Sequence, residues 1–173
     1  MLVVFLRAVN VGGHQVVRPS EIARRLARLE VTNIGAAGTF MVRAAVSAAA
    51  VRKAFAAALP FDTAIMTCTP GDLARLMRRD PGAGAARDPR VKRHVGVLGK
   101  RPGVRPRLPI RVPDDDRWQV SIVDVDGPFA TSLQRRDGRT TVSVNEAIER
   151  RLGVPATTRG WDTLVKIHTL LTG

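Results

Sequence analysis

Trp118-Gln-Val-Ser-Ile-Val-Asp-Val-Asp126-Gly127-Pro128-Phe-Ala-Thr-Ser-Leu-Gln134 is the stretch on which the fold turns. Two runs rich in β-branched and large apolar residues flank Asp126-Gly127. Asp-Gly suits a two-residue hairpin turn, because its central positions need φ > 0. The stretch therefore predicts a hairpin with strands over Trp118–Val125 and Pro128–Gln134. Downstream, Ser143-Val-Asn-Glu146 has the spacing of a capping box and predicts a helix start. Ala147, Ile148 and Leu152 run along that helix, and Gly153 with Pro155 stops it. Upstream, Val91–Leu98 reads as a strand. Residues 99–116 contain four prolines and end in Asp114-Asp115-Asp116, so they predict an exposed loop where a regular unit would have a helix.

The first half repeats this grammar. Leu2–Leu6 is an unbroken apolar run, the mark of a buried strand. Asn10–Gly13 reads as a turn, and Pro19-Ser20 opens a helix with Ile22, Leu26 and Leu29 on one face. Short strands are predicted at Val31–Ile34 and Phe40–Val46. Ser47 caps a helix striped with Val51, Phe55 and Leu59, which Pro60 ends. A strand over Phe61–Thr67 follows, then a helix opening at Thr69-Pro70 with Leu73, Leu76 and Met77 on its buried face. The element order predicts an α+β protein of two tandem ferredoxin-like (split β-α-β) plaits. The expected sheets are antiparallel or mixed, with helices on one face. The expected bounds are 1–80 for the first plait, 81–89 for a linker rich in Gly, Ala, Arg and Pro, and 90–173 for the second plait with a C-terminal helix. Periodicity alone also admits a single mixed sheet.

The 173 residues are 45% hydrophobic but only 4% aromatic, with no tyrosine, so small aliphatic residues must fill much of the interior. The net charge is +13. Residues 1–60 hold 8 basic and 2 acidic groups (+6), residues 61–112 hold 12 and 4 (+8), and residues 113–173 hold 8 and 9 (−1). The excess thus lies in the first two-thirds of the chain, and such a field attracts anions. The single cysteine, Cys68, excludes an internal disulfide and fits a reducing cytoplasm. The apolar start is too short for a signal peptide, and no run approaches the ~18 apolar residues of a membrane span. A cytoplasmic protein without a membrane partner is expected, and its oligomeric state is left open.

The final helix is predicted to begin at Thr158, so that Thr157, Thr158, Arg159 and Gly160 form a helix start that can hold an anion. Simple capping, with Trp161 as a packing anchor, is the alternative. Asn10-Val11-Gly12-Gly13 follows a strand, and its glycines either approach a phosphate or simply make a tight turn. Neither a P-loop nor a Gly-x-Gly-x-x-Gly pattern occurs, so no nucleotide cofactor is implied. His14, His94 and His168 lack metal-ligand spacing, and no metal is expected. His168 falls on the apolar face of the last helix. No carboxylate pair has an acid–base context, and no catalytic residue is assigned.

Phe5-Leu-Arg-Ala-Val-Asn-Val-Gly-Gly-His14, Lys92-Arg-His-Val95 and Leu152-Gly-Val-Pro-Ala-Thr-Thr-Arg-Gly-Trp-Asp-Thr163 together resemble the bacterial family known as domain of unknown function 1697. The resemblance runs along essentially the whole chain and implies a pair of ferredoxin-like plaits. The chain departs from the family pattern at Ile34-Gly-Ala-Ala-Gly-Thr39, where relatives carry Gln and Asn, and at Val142-Ser-Val-Asn145, where they carry a basic stretch. Two functions remain. The first is a small anionic ligand, bound or transformed at a polar concavity between the plaits by Arg7, Asn10, Gly12, Gly13, Thr157, Thr158 and Arg159, with Trp161 as its wall. The second is weak, sequence-independent binding of nucleic acid or another polyanion by the basic two-thirds.

Overall fold

A computed structural model describes residues 1–8, 16–34, 38–136, 138 and 141–173. The chain divides into two compact units, Met1–Gly71 and Asp72–Gly173.

In the first unit the order is β1 (Leu2–Leu6), α1 (Pro19–Arg25), a 3-10 turn (Ala27–Leu29), β2 (Val31–Asn33), β3 (Thr39–Val42), α2 (Ala48–Ala58) and β4 (Ile65–Cys68). The strands form one antiparallel sheet in the order β2-β3-β1-β4. The apolar run at β1 is central because it must bond on both sides. Val4 pairs with Phe40 on one edge and Thr67 on the other. Val4, Leu6, Phe40 and Val42 share one core with Ile22 of α1, Leu26 just after it, and Val51 and Phe55 of α2. The Phe40 and Phe55 rings meet edge to face at 5.3 Å between centroids. Ser47 caps α2 as expected, its Oγ accepting from the Ala50 amide at 3.1 Å.

The second unit contains α3 (Pro70–Arg79, all but its first two residues), a 3-10 turn (Ala85–Arg87), β5 (Val91–Leu98), β6 (Ile110–Val112), β7 (Val120–Asp126), β8 (Phe129–Arg135), α4 (Val144–Leu152), β9 (Ala156–Gly160) and α5 (Trp161–Thr172). Its sheet is antiparallel throughout, in the order β6-β7-β8-β5-β9. The predicted hairpin forms, with Gly127 at φ +55° in its turn. Ser143 caps α4 by accepting from the Glu146 amide, and Gly153 closes that helix in the left-handed region.

Side chains of directly opposed antiparallel residues share a face. Gly96, Ala130, Ala156, Thr158 and Ile122 therefore lie on the face that meets Ile148 and Ala147 of α4. A β-bulge between Ile122 and Asp124 then shifts the alternation of β7. Asp124 and Asp126 oppose Thr131 and Phe129, and so point away from α4. There they meet α3. Arg79 donates to Asp124 at 2.6 Å, and Arg75 donates to Asp126 at 2.8 Å.

Four expectations change. The division falls at Gly71/Asp72 rather than at residue 80, because the Arg75 and Arg79 pairs tie α3 to β7. Residues 81–89 hold a 3-10 turn rather than only a linker. Residues 99–116 include β6, which pairs with β7 through Ile110↔Ile122. Helices lie on both faces of the second sheet, α4 on one and α3 on the other.

Candidate functional site

The segment expected to start a helix at Thr158 is instead a strand. β9 pairs with β5 from Ala156↔Leu98 to Gly160↔His94, and α5 begins only at Trp161. Two adjacent threonines explain this, since their branched Cβ atoms favour extended backbone. The amides of Thr157–Arg159 thus belong to strand backbone and are not the free donors of a helix start. Thr158 faces α4 and donates from Oγ1 to Asn145 Oδ1 at 2.9 Å. Arg159 faces the other side, and its Nη1 donates to Thr157 Oγ1 at 2.9 Å and to the Thr158 carbonyl at 3.0 Å. Burial pushes its guanidinium down to about 10, so it stays cationic at neutral pH. Arg7, in the first unit, is exposed, and its backbone bonds to Thr63 and Ala64. Asn10, Gly12 and Gly13 lie outside the described residues.

Of the expected site residues, Trp161 borders a cavity of about 490 Å³ in the second unit. β9 ends at Gly160, so no strand flanks the first residues of β5 on that edge. Side chains from both sheet faces therefore border the same hollow. They include Lys92 and His94 from one face, Arg93 from the other, Arg136 just after β8, and Asp162 in the first turn of α5. Arg93 lies over the Trp161 ring, its Cζ 3.4 Å from the centroid. Asp80, at 2.5 Å, and the Pro81 carbonyl, at 3.1 Å, hold that guanidinium in place. His94 donates from Nε2 to Gln134 Oε1 at 3.1 Å. Burial keeps its imidazole below the ordinary 6.5, and the nearby Arg136 and Lys92 push the same way against the Gln134 bond. Lys92 and Arg136 are exposed, and neither has a carboxylate within 4 Å among the described residues.

The sequence reading missed Lys92, Arg93, His94 and Arg136 as site residues. The available signal was the Lys-Arg-His triplet opening a strand, which is unusual for a segment that is otherwise apolar.

A second cavity of about 660 Å³ is lined by Arg75, Arg101 and Arg105 near the Asp126-Gly127 turn. Asp126 and Asp72 already neutralise Arg75 there and raise its pKa. Among the described residues no group of three His, Cys, Asp or Glu side chains is placed to hold a metal, and Cys68 is buried. No described helix is long and apolar enough to cross a membrane.

Two antiparallel sheets, five helices among the described residues and a cation-lined hollow beside a tryptophan define an α+β protein with an anion-compatible site. The fold is similar to that of the conserved bacterial protein SP0830 from Streptococcus pneumoniae, with a TM-score of 0.67 at 17% identity, over 99% of this chain and 98% of that one. The chain belongs to the protein family of unknown function DUF1697, whose model matches residues 1–124. That match includes Lys92–His94 and stops short of Arg136 and Trp161. No curated protein matches the chain.

Proposed function

We propose that the protein binds a small anionic, phosphate-bearing ligand in the Trp161 cavity, and that it works in a reducing cytoplasm. We also propose that each sheet is a ferredoxin-like plait. The first has the split β-α-β order with strands β2-β3-β1-β4, and the second repeats it as β7-β8-β5-β9 with a loop in place of the first helix.

The observation that carries the ligand reading is the charge of the cavity wall. Lys92, Arg93 and Arg136 outnumber Asp162, and among the described residues only Arg93 is held by a carboxylate. The N-terminus of α5 adds its dipole, and its N-cap Gly160 supplies no capping side chain. The Arg93–Trp161 stack fixes a rigid wall, so the cations meet a preorganised surface.

The test is calorimetric titration of the whole chain with inorganic pyrophosphate, sugar phosphates and nucleotides at low salt. Binding that is lost in the Lys92→Glu/Arg136→Glu variant supports the reading. Binding that is indifferent to both substitutions, or no binding at all, overturns it.

A further inference from the structure

The antiparallel order puts the start of β7, the end of β8, the start of β5 and the end of β9 at one end of the second sheet. The residues placed there are, in strand order, Trp118, Arg135 with Arg136, Arg90 with Lys92, and Trp161. These are the chain's two tryptophans. Each carries an arginine on its ring, Arg135 Cζ 4.0 Å from the Trp118 centroid and Arg93 Cζ 3.4 Å from that of Trp161. Each also borders a cavity of about 490 Å³, and Val91 lines both. Arg135 and Arg93 lie on the same face, since Arg135 opposes Val91 and Leu133 opposes Arg93. Of the cations between the rings, Arg90 is tied to Asp88, whereas Lys92 and Arg136 have no carboxylate partner among the described residues.

From this arrangement we infer that the sheet end is a track for single-stranded nucleic acid, with Trp118 and Trp161 as stacking platforms and Lys92 and Arg136 as phosphate contacts, while the Asp116 carbonyl holds the Arg135 guanidinium against Trp118 at 2.7 Å. Its Trp161 end rests on the anion reading above. Aromatic rings spaced along a cationic surface suit a strand whose bases are unpaired, because each base offers a face to stack while its phosphate meets a cation. A duplex keeps its bases inside and gains only the charge. Three strand spacings separate β7 from β9, roughly 14 Å. At the stacked rise of about 3.4 Å per nucleotide, that span needs about four nucleotides. A dinucleotide reaches one ring and a hexanucleotide reaches both.

The chain has no tyrosine, so its fluorescence reports these two rings alone. Trp118→Phe leaves Trp161 as the sole reporter, and Trp161→Phe leaves Trp118. Both are titrated, in the full chain, with oligo(dT) of two and six nucleotides, a six-base-pair duplex, and pyrophosphate. The hexamer is expected to quench both reporters and to bind at least about tenfold more tightly than the dimer. Its log affinity should fall with log salt at a slope of about −1.4 for two phosphate contacts. Trp118→Ala should weaken the hexamer about tenfold, as loss of one stacked base does, and leave pyrophosphate unchanged. Trp118→Phe should restore most of that loss, which separates stacking from misfolding. Equal affinity for dimer and hexamer, quenching of one ring only, or a duplex that binds as well as the single strand overturns the track and leaves the anion pocket standing. Pyrophosphate that fails to perturb Trp161 overturns the pocket, and the track with it.

Discussion

Gly96 sits where α4 crosses β5, and a methyl group there tests the packing of the second unit directly. A Cβ at residue 96 would lie 2.6 Å from Ile148 Cδ1, 3.4 Å from Ile148 Cγ2 and 3.6 Å from the Ala130 carbonyl. The first distance is well inside van der Waals contact. Ile148 is fully buried among Val120, Ile122 and Leu152, so its terminal methyl has little room to swing away. Gly96→Ala should therefore behave as an overpacked core and cost about 1–3 kcal/mol, despite the gain a strand normally makes on losing glycine. With a urea slope of about 2 kcal/mol per molar, a 2 kcal/mol loss moves the midpoint by about 1 M. Ile148→Val removes the clashing Cδ1 and alone should cost about 1 kcal/mol. If the clash is the cause, the double variant should also lose only about 1 kcal/mol instead of the additive ~3, a coupling of roughly 2 kcal/mol. Both tryptophans belong to this unit, so the urea transition followed by fluorescence reads the right part of the chain. Additive losses, or a Gly96→Ala midpoint within error of the parent, would refute the reasoning.

Three further outcomes follow from the same geometry. Burial holds the folded His94 pKa below its ordinary 6.5, so its contribution to stability is present above that value and is lost as pH falls from 6.5 towards the folded pKa. Urea midpoints measured between pH 8 and 5 should drop more for the parent than for His94→Gln. Ser143→Ala removes the bond to the Glu146 amide and should cost about 1 kcal/mol by the same assay. Phe55→Ala empties the first core beside Phe40 and should cost about 3–5 kcal/mol by far-ultraviolet circular dichroism.

The hairpin, both serine caps and the helix stop at Gly153 were legible because each depends on neighbours in sequence. The bulge at Val123 was not. An expected strand of strict alternation would have put Asp124 on the face of Ile122, and only pairing with β8 shows the shift. The place of α3 was hidden for the same reason, since its arginines find their carboxylates some forty to fifty residues downstream. Thr157–Arg159 was misread because hydroxyl residues before an apolar helical stripe suit either a cap or a strand. The ladder to β5 decided between them, and that ladder is a long-range fact. Trp161 was singled out from its sequence context. Its partners Lys92, Arg93 and Arg136 could be joined to it only by the sheet order.

Net charge taught least when counted along the chain and most when matched to its counter-charges. The second unit holds 20 of the 28 basic residues and 12 of the 15 acidic ones, or +8. Many of those acids are spent locally. Asp72 and Asp126 face Arg75, Asp124 faces Arg79, Asp80 faces Arg93, and Asp88 faces Arg90. Such pairs add little stability at a surface, but they cancel the field around α3 and the hairpin. Among the cations they leave without a carboxylate within 4 Å in the described residues are Lys92 and Arg136 at the sheet end, Lys100, Arg101, Arg105 and Arg107 in the proline-rich loop, and Arg78, Arg87, Arg151 and Lys166 elsewhere. The loop offers cations without an aromatic partner. Among the described residues the sheet end is where uncancelled cations meet both tryptophans, and the placement of the acids is what leaves that part of a generally basic molecule for the anion site we propose.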